Sequence, residues 1–237
     1  KLFQNNTIYN FSGNAGMTFY GINVGYGATV DISGNTIYGF TNTGGTGGAF
    51  YGINRGTTAT TQNIYKNKIY GFSTTSTGPL VNGIVVAGGT TTNVHNNYIG
   101  GLTASAANIA DAIRGISSTS TTSTSTVKLY YNTIYLNSTS SGAVFGSTGI
   151  FHTYSTTATT AALDMRNNII ANASVANSTG LSVAFRRSAA TNLNNYATAS
   201  NNNLFFIFSF LSPLIDIVSF VLLYNLYLLY NIYCIVF

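Results

Sequence analysis

Four aspartates (Asp31, Asp111, Asp164 and Asp216), two histidines (His95 and His152), one cysteine (Cys234) and no glutamate make up the acid–base and metal-binding stock of this 237-residue chain. Glycoside hydrolysis ordinarily needs two carboxyl groups about 5–9.5 Å apart. A calcium-dependent reaction needs several carboxylates around one ion, because Ca²⁺ takes six to eight oxygens. Neither set is in evidence, and the chain has no H-E-x-x-H motif, no Gly-Lys phosphate loop and no Cys/His metal spacing. The expectation is therefore no metal and no cofactor. The remaining candidates for chemistry are Tyr65, His95, Lys128 and Tyr130. A Tyr or His base, with a Lys to hold developing negative charge, could abstract a proton beside a uronate carboxylate. A second set, Tyr9, Tyr38, Tyr70 and Tyr135, offers rings and hydroxyls for contact with sugars, with Thr7, Thr36 and Thr133 two positions earlier.

Both sets are defined by their distance from a recurring asparagine. N-x-I-Y and its variants begin at Asn6, Asn35, Asn67, Asn97, Asn132, Asn168 and Asn202, at spacings of 29, 32, 30, 35, 36 and 34 residues. A Gly-Ile element keeps pace at Gly21, Gly52, Gly83, Gly115 and Gly149, with Gly180-Leu181 as its last copy. A fixed period of this size marks a stacked array in which each unit buries its apolar side against the next. Around each Asn the positions at −5, −3 and +2 are mostly apolar (Val30, Ile32 and Ile37; Leu163, Met165 and Ile170), which is the period-two alternation of strands. Each unit reads strand, Asn corner, strand, loop, Gly-Ile strand, loop. The motif residues have structural roles to fill: Asn amides stacked in a ladder, Ile in the interior, and Gly at a bend where a positive φ is cheap.

These N-x-I-Y and Gly-Ile elements resemble those of right-handed parallel β-helix repeat proteins, the pectate-lyase-like architecture of bacterial secreted and surface proteins. The resemblance covers residues 1–203. It implies an all-β, right-handed parallel β-helix solenoid of about six to seven coils, outside the cell or on its surface. The family's acidic catalytic residues have no matching positions in this chain.

The repeat converts the sequence into a surface map, since neighbouring coils lie about 4.8 Å apart. Position −4 gives the column Asp31, Asn63, Asn93, Lys128, Asp164, and position −2 gives Ser33, Tyr65, His95, Tyr130, Arg166. Both are expected to face outward. Asp31 and Asp164 then sit four coils apart, roughly 19 Å, too far to act as a pair. His152 is expected on the surface. The runs SSTSTTSTST (117–126) and TYSTTATTAA (153–162) are expected as loops that bulge from one corner and lengthen two of the repeats.

Composition narrows the function classes. Only 5% of residues are charged, so the surface must be polar through hydroxyls and amides. The net charge of +5 comes from nine scattered Lys and Arg, of which only Arg186 and Arg187 adjoin, and no basic stripe for nucleic acid exists. The chain enters its first motif at Asn6 with no initiator Met before it, which reads as part of a longer chain. Residues 204–237 lack Gly, Ala, Thr, Lys and Arg, an abrupt change from the body. Three readings of this hydrophobic tail stand open: a membrane segment, a reading-frame slip, or a cap or partner-binding strand. Membrane contact is expected only if the tail is genuine. The function expected for the body is a structural or adhesive module that binds polysaccharide on its outer faces. The alternative is a fragment of a polysaccharide lyase or hydrolase acting on acidic glycans.

Overall fold

The computed structural model describes residues 1–56, 59–189 and 192–207. These residues form a parallel β-solenoid of about six turns with no helix among them. Every ladder between named strands is parallel, and each turn contributes to three sheets. Sheet A stacks Leu2–Gln4, Thr29–Ser33, Thr61–Tyr65, Thr91–His95, Thr126–Tyr130 and Ala162–Arg166. Sheet B follows the Asn corner and runs from Thr7–Tyr9 through Thr36–Tyr38, Lys68–Thr74, Tyr98–Ala104, Thr133–Leu136 and Ile169–Asn172 to Leu204–Ile207. Sheet C stacks Phe19–Val24, Ala49–Arg55, Leu80–Val86, Ile109–Ser118, Phe145–His152 and Ser182–Arg187.

The core is the inside of this tube. Sheet B supplies Ile37, Ile69, Ile99, Ile134 and Ile170, sheet A supplies Ile32, Ile64, Val94, Leu129 and Met165, and sheet C supplies Ile53, Ile84, Ile116 and Ile150, all buried. An interior aromatic stack joins them. Phe40 and Phe72 lie 4.5 Å apart and within 2° of parallel, with Phe50 edge-on to Phe72.

The Asn ladder runs the length of the described solenoid. In each coil the Asn Nδ2 donates to the Oδ1 of the next Asn, at 2.8–3.0 Å from Asn6 to Asn203. The Asn backbone N–H donates to the same oxygen at 3.0–3.2 Å. From Asn35 onward the second Nδ2 hydrogen goes back to a carbonyl of the preceding coil, as from Asn97 to Ile64 at 2.9 Å. An interior Asn is thus fully satisfied in the buried corner, which is what a buried amide requires.

Three sequence expectations are corrected here. The last ladder residue is Asn203, not Asn202: Asn168 bonds to Asn203, and Ile170 pairs with Phe205. Asn202 instead takes the left-handed corner position, φ 52°, that Asn5, Lys66, Asn96, Tyr131 and Asn167 fill in other coils. The last Gly-Ile equivalent is Ala184-Phe185, because Ile150 pairs with Phe185. The reason for Gly in that column is not a positive φ. A Cβ on Gly83 would lie 2.6 Å from the Gly115 carbonyl oxygen and 2.7 Å from Ile99 Cγ2. Close approach of two walls, not backbone conformation, selects Gly wherever another sheet C strand follows, and Ala184 stands in the last described strand, which none follows.

The two Ser/Thr-rich runs lie at the corner between sheets C and A, although their ends, Ser117, Ser118, Thr126 and Ala162, are strand. Leu204–Ile207 continues sheet B in register, four residues into the segment that the sequence assigns to the tail. The rest of that segment, 208–237, lies outside the described residues.

Candidate functional site

Three outer faces carry the candidate side chains. On sheet A, strand alternation turns the −4 and −2 columns outward as expected. The register places Tyr65, His95 and Tyr130 on consecutive rungs, with Lys128 between Asn93 and Asp164 in the adjacent column. The Tyr65 and His95 rings stack at 5.0 Å and 7°. Burial, and then the Lys66 charge, holds His95 below its ordinary pKa, so the imidazole is neutral at neutral pH. Tyr130 donates its phenolic proton to Asp164 Oδ2 at 2.6 Å. Arg166 grips the same carboxylate with Nε and Nη2 at 2.9 and 2.7 Å. Burial, followed by that hydrogen bond and the Asp164 charge, pushes Tyr130 up to about 12. Burial alone would raise Asp164, but the bonds from Arg166 and Tyr130 and the nearby Lys128 outweigh it and hold the carboxyl low. His95 is thus held neutral, with base character near neutral pH, and Tyr130 is fixed as a donor. Asp31 accepts from Asn63 Nδ2 at 2.6 Å and is four rungs from Asp164.

On sheet B the expected Tyr column is partly continuous. Tyr9 stacks on Tyr38 at 5.3 Å, and Tyr38 on Tyr70 at 5.1 Å, all within 7° of parallel. The ring faces inside the stack cover one another, so the stack offers hydroxyls and ring edges to solvent. Tyr135 stands beyond the Gly100 rung. That gap is roofed by Tyr98, which the sequence reading did not single out: a Cβ on Gly100 would meet Tyr98 Oη at 2.7 Å and Cζ at 3.1 Å. Tyr9, Tyr38 and Tyr70 stack continuously, and Tyr98 and Tyr135 extend the same ridge beyond them without stacking on it, with Tyr9 52% and Tyr135 43% exposed.

The third face was not foreseen. Tyr20 and Tyr51 on sheet C stack at 4.8 Å and 7°, and the same column continues through Asn82 and Arg114. Asn82 is the short member, and the step it leaves is a groove of about 190 Å³ whose lining includes Tyr20, Tyr51, Asn54, Asn82, Val85 and Arg114. Asn82 is only 1% exposed, and neither its Oδ1 nor its Nδ2 has a hydrogen-bond partner. Arg114 lies over the Phe151 ring at 3.8 Å and donates through Nε to Asp111 Oδ2 at 2.9 Å, with Nη2 at 2.8 Å from the same oxygen. Asp111 also accepts from Thr148 Oγ1 at 2.7 Å and lies 3.6 Å from Arg186. Burial, and then Tyr20, pushes the Tyr51 hydroxyl up, while Arg114 opposes this. The column lies one residue before each Gly-Ile element. Its mixture of Tyr, Asn and Arg leaves no repeated residue type in the sequence.

His152 is not on the surface. It is fully buried, with Asn195 Nδ2 3.0 Å from its Nε2 and no hydrogen-bond partner at Nδ1. Burial, and then Arg187, brings its pKa down to about 3.

No family model matches the chain, and no curated protein or solved structure matches it.

Proposed function

We propose that the chain is a structural or adhesive β-solenoid module, extracellular or on the cell surface, that holds polysaccharide against its outer faces. The observation that carries this reading is the ridge of Tyr9, Tyr38, Tyr70, Tyr98 and Tyr135 on sheet B, which repeats hydroxyls and aromatic edges at the coil spacing. Neutral amides and hydroxyls dominate the rest of the surface, which suits uncharged hydroxyl-rich ligands better than charged ones. The body fits an adhesive scaffold because its stability resides in the ladder and core, leaving outward positions free to vary. The test is affinity electrophoresis through gels loaded with xylan, glucomannan or polygalacturonate. Retardation of the wild type, lost when Tyr38 and Tyr70 are replaced by Ala, supports the reading; unchanged retardation of the variant removes the ridge from it.

One observation favours the alternative of a polysaccharide lyase or hydrolase fragment: His95, neutral at neutral pH, shares its face with Lys128. Polygalacturonate incubated with the protein acquires unsaturated ends under that reading, and His95→Ala abolishes them. Absence of unsaturated ends in the wild-type digest overturns the lyase form.

A further inference from the structure

We infer that the groove over Asn82 on sheet C is a subsite for a single neutral sugar ring, read through two adjacent hydroxyls. This rests on the reading of the chain as a polysaccharide-binding module and assigns it a second, specific face.

The inference starts from Asn82. A buried amide with no partner on either atom is destabilising, and native structures rarely keep one without use. Here it lies just beneath the floor of a groove, one acceptor and one donor side by side, and a ligand reaches it when the neighbouring Tyr51 and Arg114 side chains part. Its natural complement is a group that also presents a donor and an acceptor together. Vicinal hydroxyls of a sugar do this, since each can donate and accept. The walls fit the same ligand: Tyr20 and Tyr51 on one side give ring edges and hydroxyls, and Val85 adds an apolar surface for the C–H face of a sugar.

Charge argues for a neutral ring. Arg114 is the cation of the groove, and its Nε and Nη2 both engage Asp111 while its flat face covers Phe151. An incoming carboxylate would have to compete with Asp111 for it. The volume suits one ring. About 190 Å³ lies below the roughly 300–1,000 Å³ of sites that enclose drug-sized molecules. A longer glycan would place one residue here and lay the rest across the sheet.

The experiment uses ¹⁵N-labelled protein, with the Asn82 side-chain amide assigned by its disappearance in Asn82→Leu. Cellohexaose, xylohexaose, mannohexaose and hexagalacturonate are titrated in turn. The expected result is a shift of the Asn82 amide with a neutral hexasaccharide, and at least tenfold weaker binding of that sugar by Asn82→Leu. The variant is expected to melt at a higher temperature than the wild type, since the unpaired amide is gone. A merely structural Asn82 would not give opposite changes in stability and binding. A shift with hexagalacturonate alone overturns the neutral-ring assignment. Neutral-sugar binding that leaves the Asn82 amide unmoved and survives Asn82→Leu, but is lost when Tyr38 and Tyr70 become Ala, overturns the groove and leaves the module reading intact. Failure of all four sugars to bind overturns both.

Discussion

Tyr130 donates a hydrogen bond from its phenol to Asp164 across one rung of sheet A, at 2.6 Å, while Arg166 holds the same carboxylate from the side. This pairing decides what the sheet A face can do. A tyrosine pushed up to about 12 by burial and by its own acceptor is a poor base near neutral pH. Replacing Asp164 with Asn removes the negative charge and the carboxylate acceptor, so the Tyr130 pKa is expected to fall toward its ordinary 10.0. A ¹³Cζ titration of the tyrosine rings checks this. No movement of Tyr130 would show that burial alone sets its value.

Acid is expected to weaken the fold through His152. The unfolded histidine takes up a proton near pH 6.5, whereas the folded one resists until about 3. Between those values the unfolded state binds more protons, so stability is full above pH 6.5 and falls as the pH drops toward 3. The slope contributed approaches roughly 1.4 kcal/mol per pH unit. Urea unfolding at several pH values checks it, and His152→Leu is expected to flatten the dependence over that window.

Asn97→Ala is expected to cost about 3 kcal/mol. It removes the acceptor used by both the backbone N–H and the Nδ2 of Asn67, leaving buried donors that typically cost about 1–3 kcal/mol each. Asn6→Ala, at an exposed edge of the ladder, is expected to cost about 1 kcal/mol or less. Urea midpoints of the two variants compare them directly. Equal losses would mean that the ladder does not act through buried donors.

Gly83→Ala is expected to destabilise by at least about 2 kcal/mol, in the range of core overpacking. The new methyl would lie 2.6 Å from the Gly115 carbonyl oxygen, and backbone cannot move aside as a side chain can. Gly44→Ala tests the other cause. Gly44 has φ 70° and open space around a Cβ, so its penalty is one of conformation alone, roughly 1–2 kcal/mol. Thermal melts that rank the two in the opposite order would contradict the close-approach account.

The fold was legible because one residue type repeats at each structural position. Asn6, Asn35, Asn67 and Ile37, Ile69, Ile99 carry the same job from coil to coil, so period and alternation are both visible. Legibility failed where the register is carried by unlike residues. Asn202-Asn203 offers two candidates for one corner, and only the hydrogen bond from Asn168 distinguishes them. Ala184 fills the Gly position of the last sheet C strand, and Gly180, four residues before it, is a decoy with the same dipeptide pattern. His152 follows Ile150 by two positions, so alternation alone places it inside; the sequence shows no partner near it, because Asn195 lies 43 residues further on. The Tyr ridge on sheet B was visible as a column, but the bridging role of Tyr98 was not, because a side chain that leans over its neighbour's rung leaves no periodic trace. The sheet C groove depends on a missing bulk, the short Asn82 between Tyr51 and Arg114, and a gap has no residue type of its own.

The ladder amides also give the solenoid a direction. Every link from Asn6 to Asn203 donates toward the following coil. A coil laid against the Leu2–Gln4 edge would have to bring amide donors, and one laid against the Leu204–Ile207 edge would have to bring an amide acceptor. Two copies meeting by the same edge would therefore bring like groups together. Any lengthening of the column by self-association is consequently one-way, like tiles with unlike ends, and a two-fold symmetric join through the ladder is chemically frustrated.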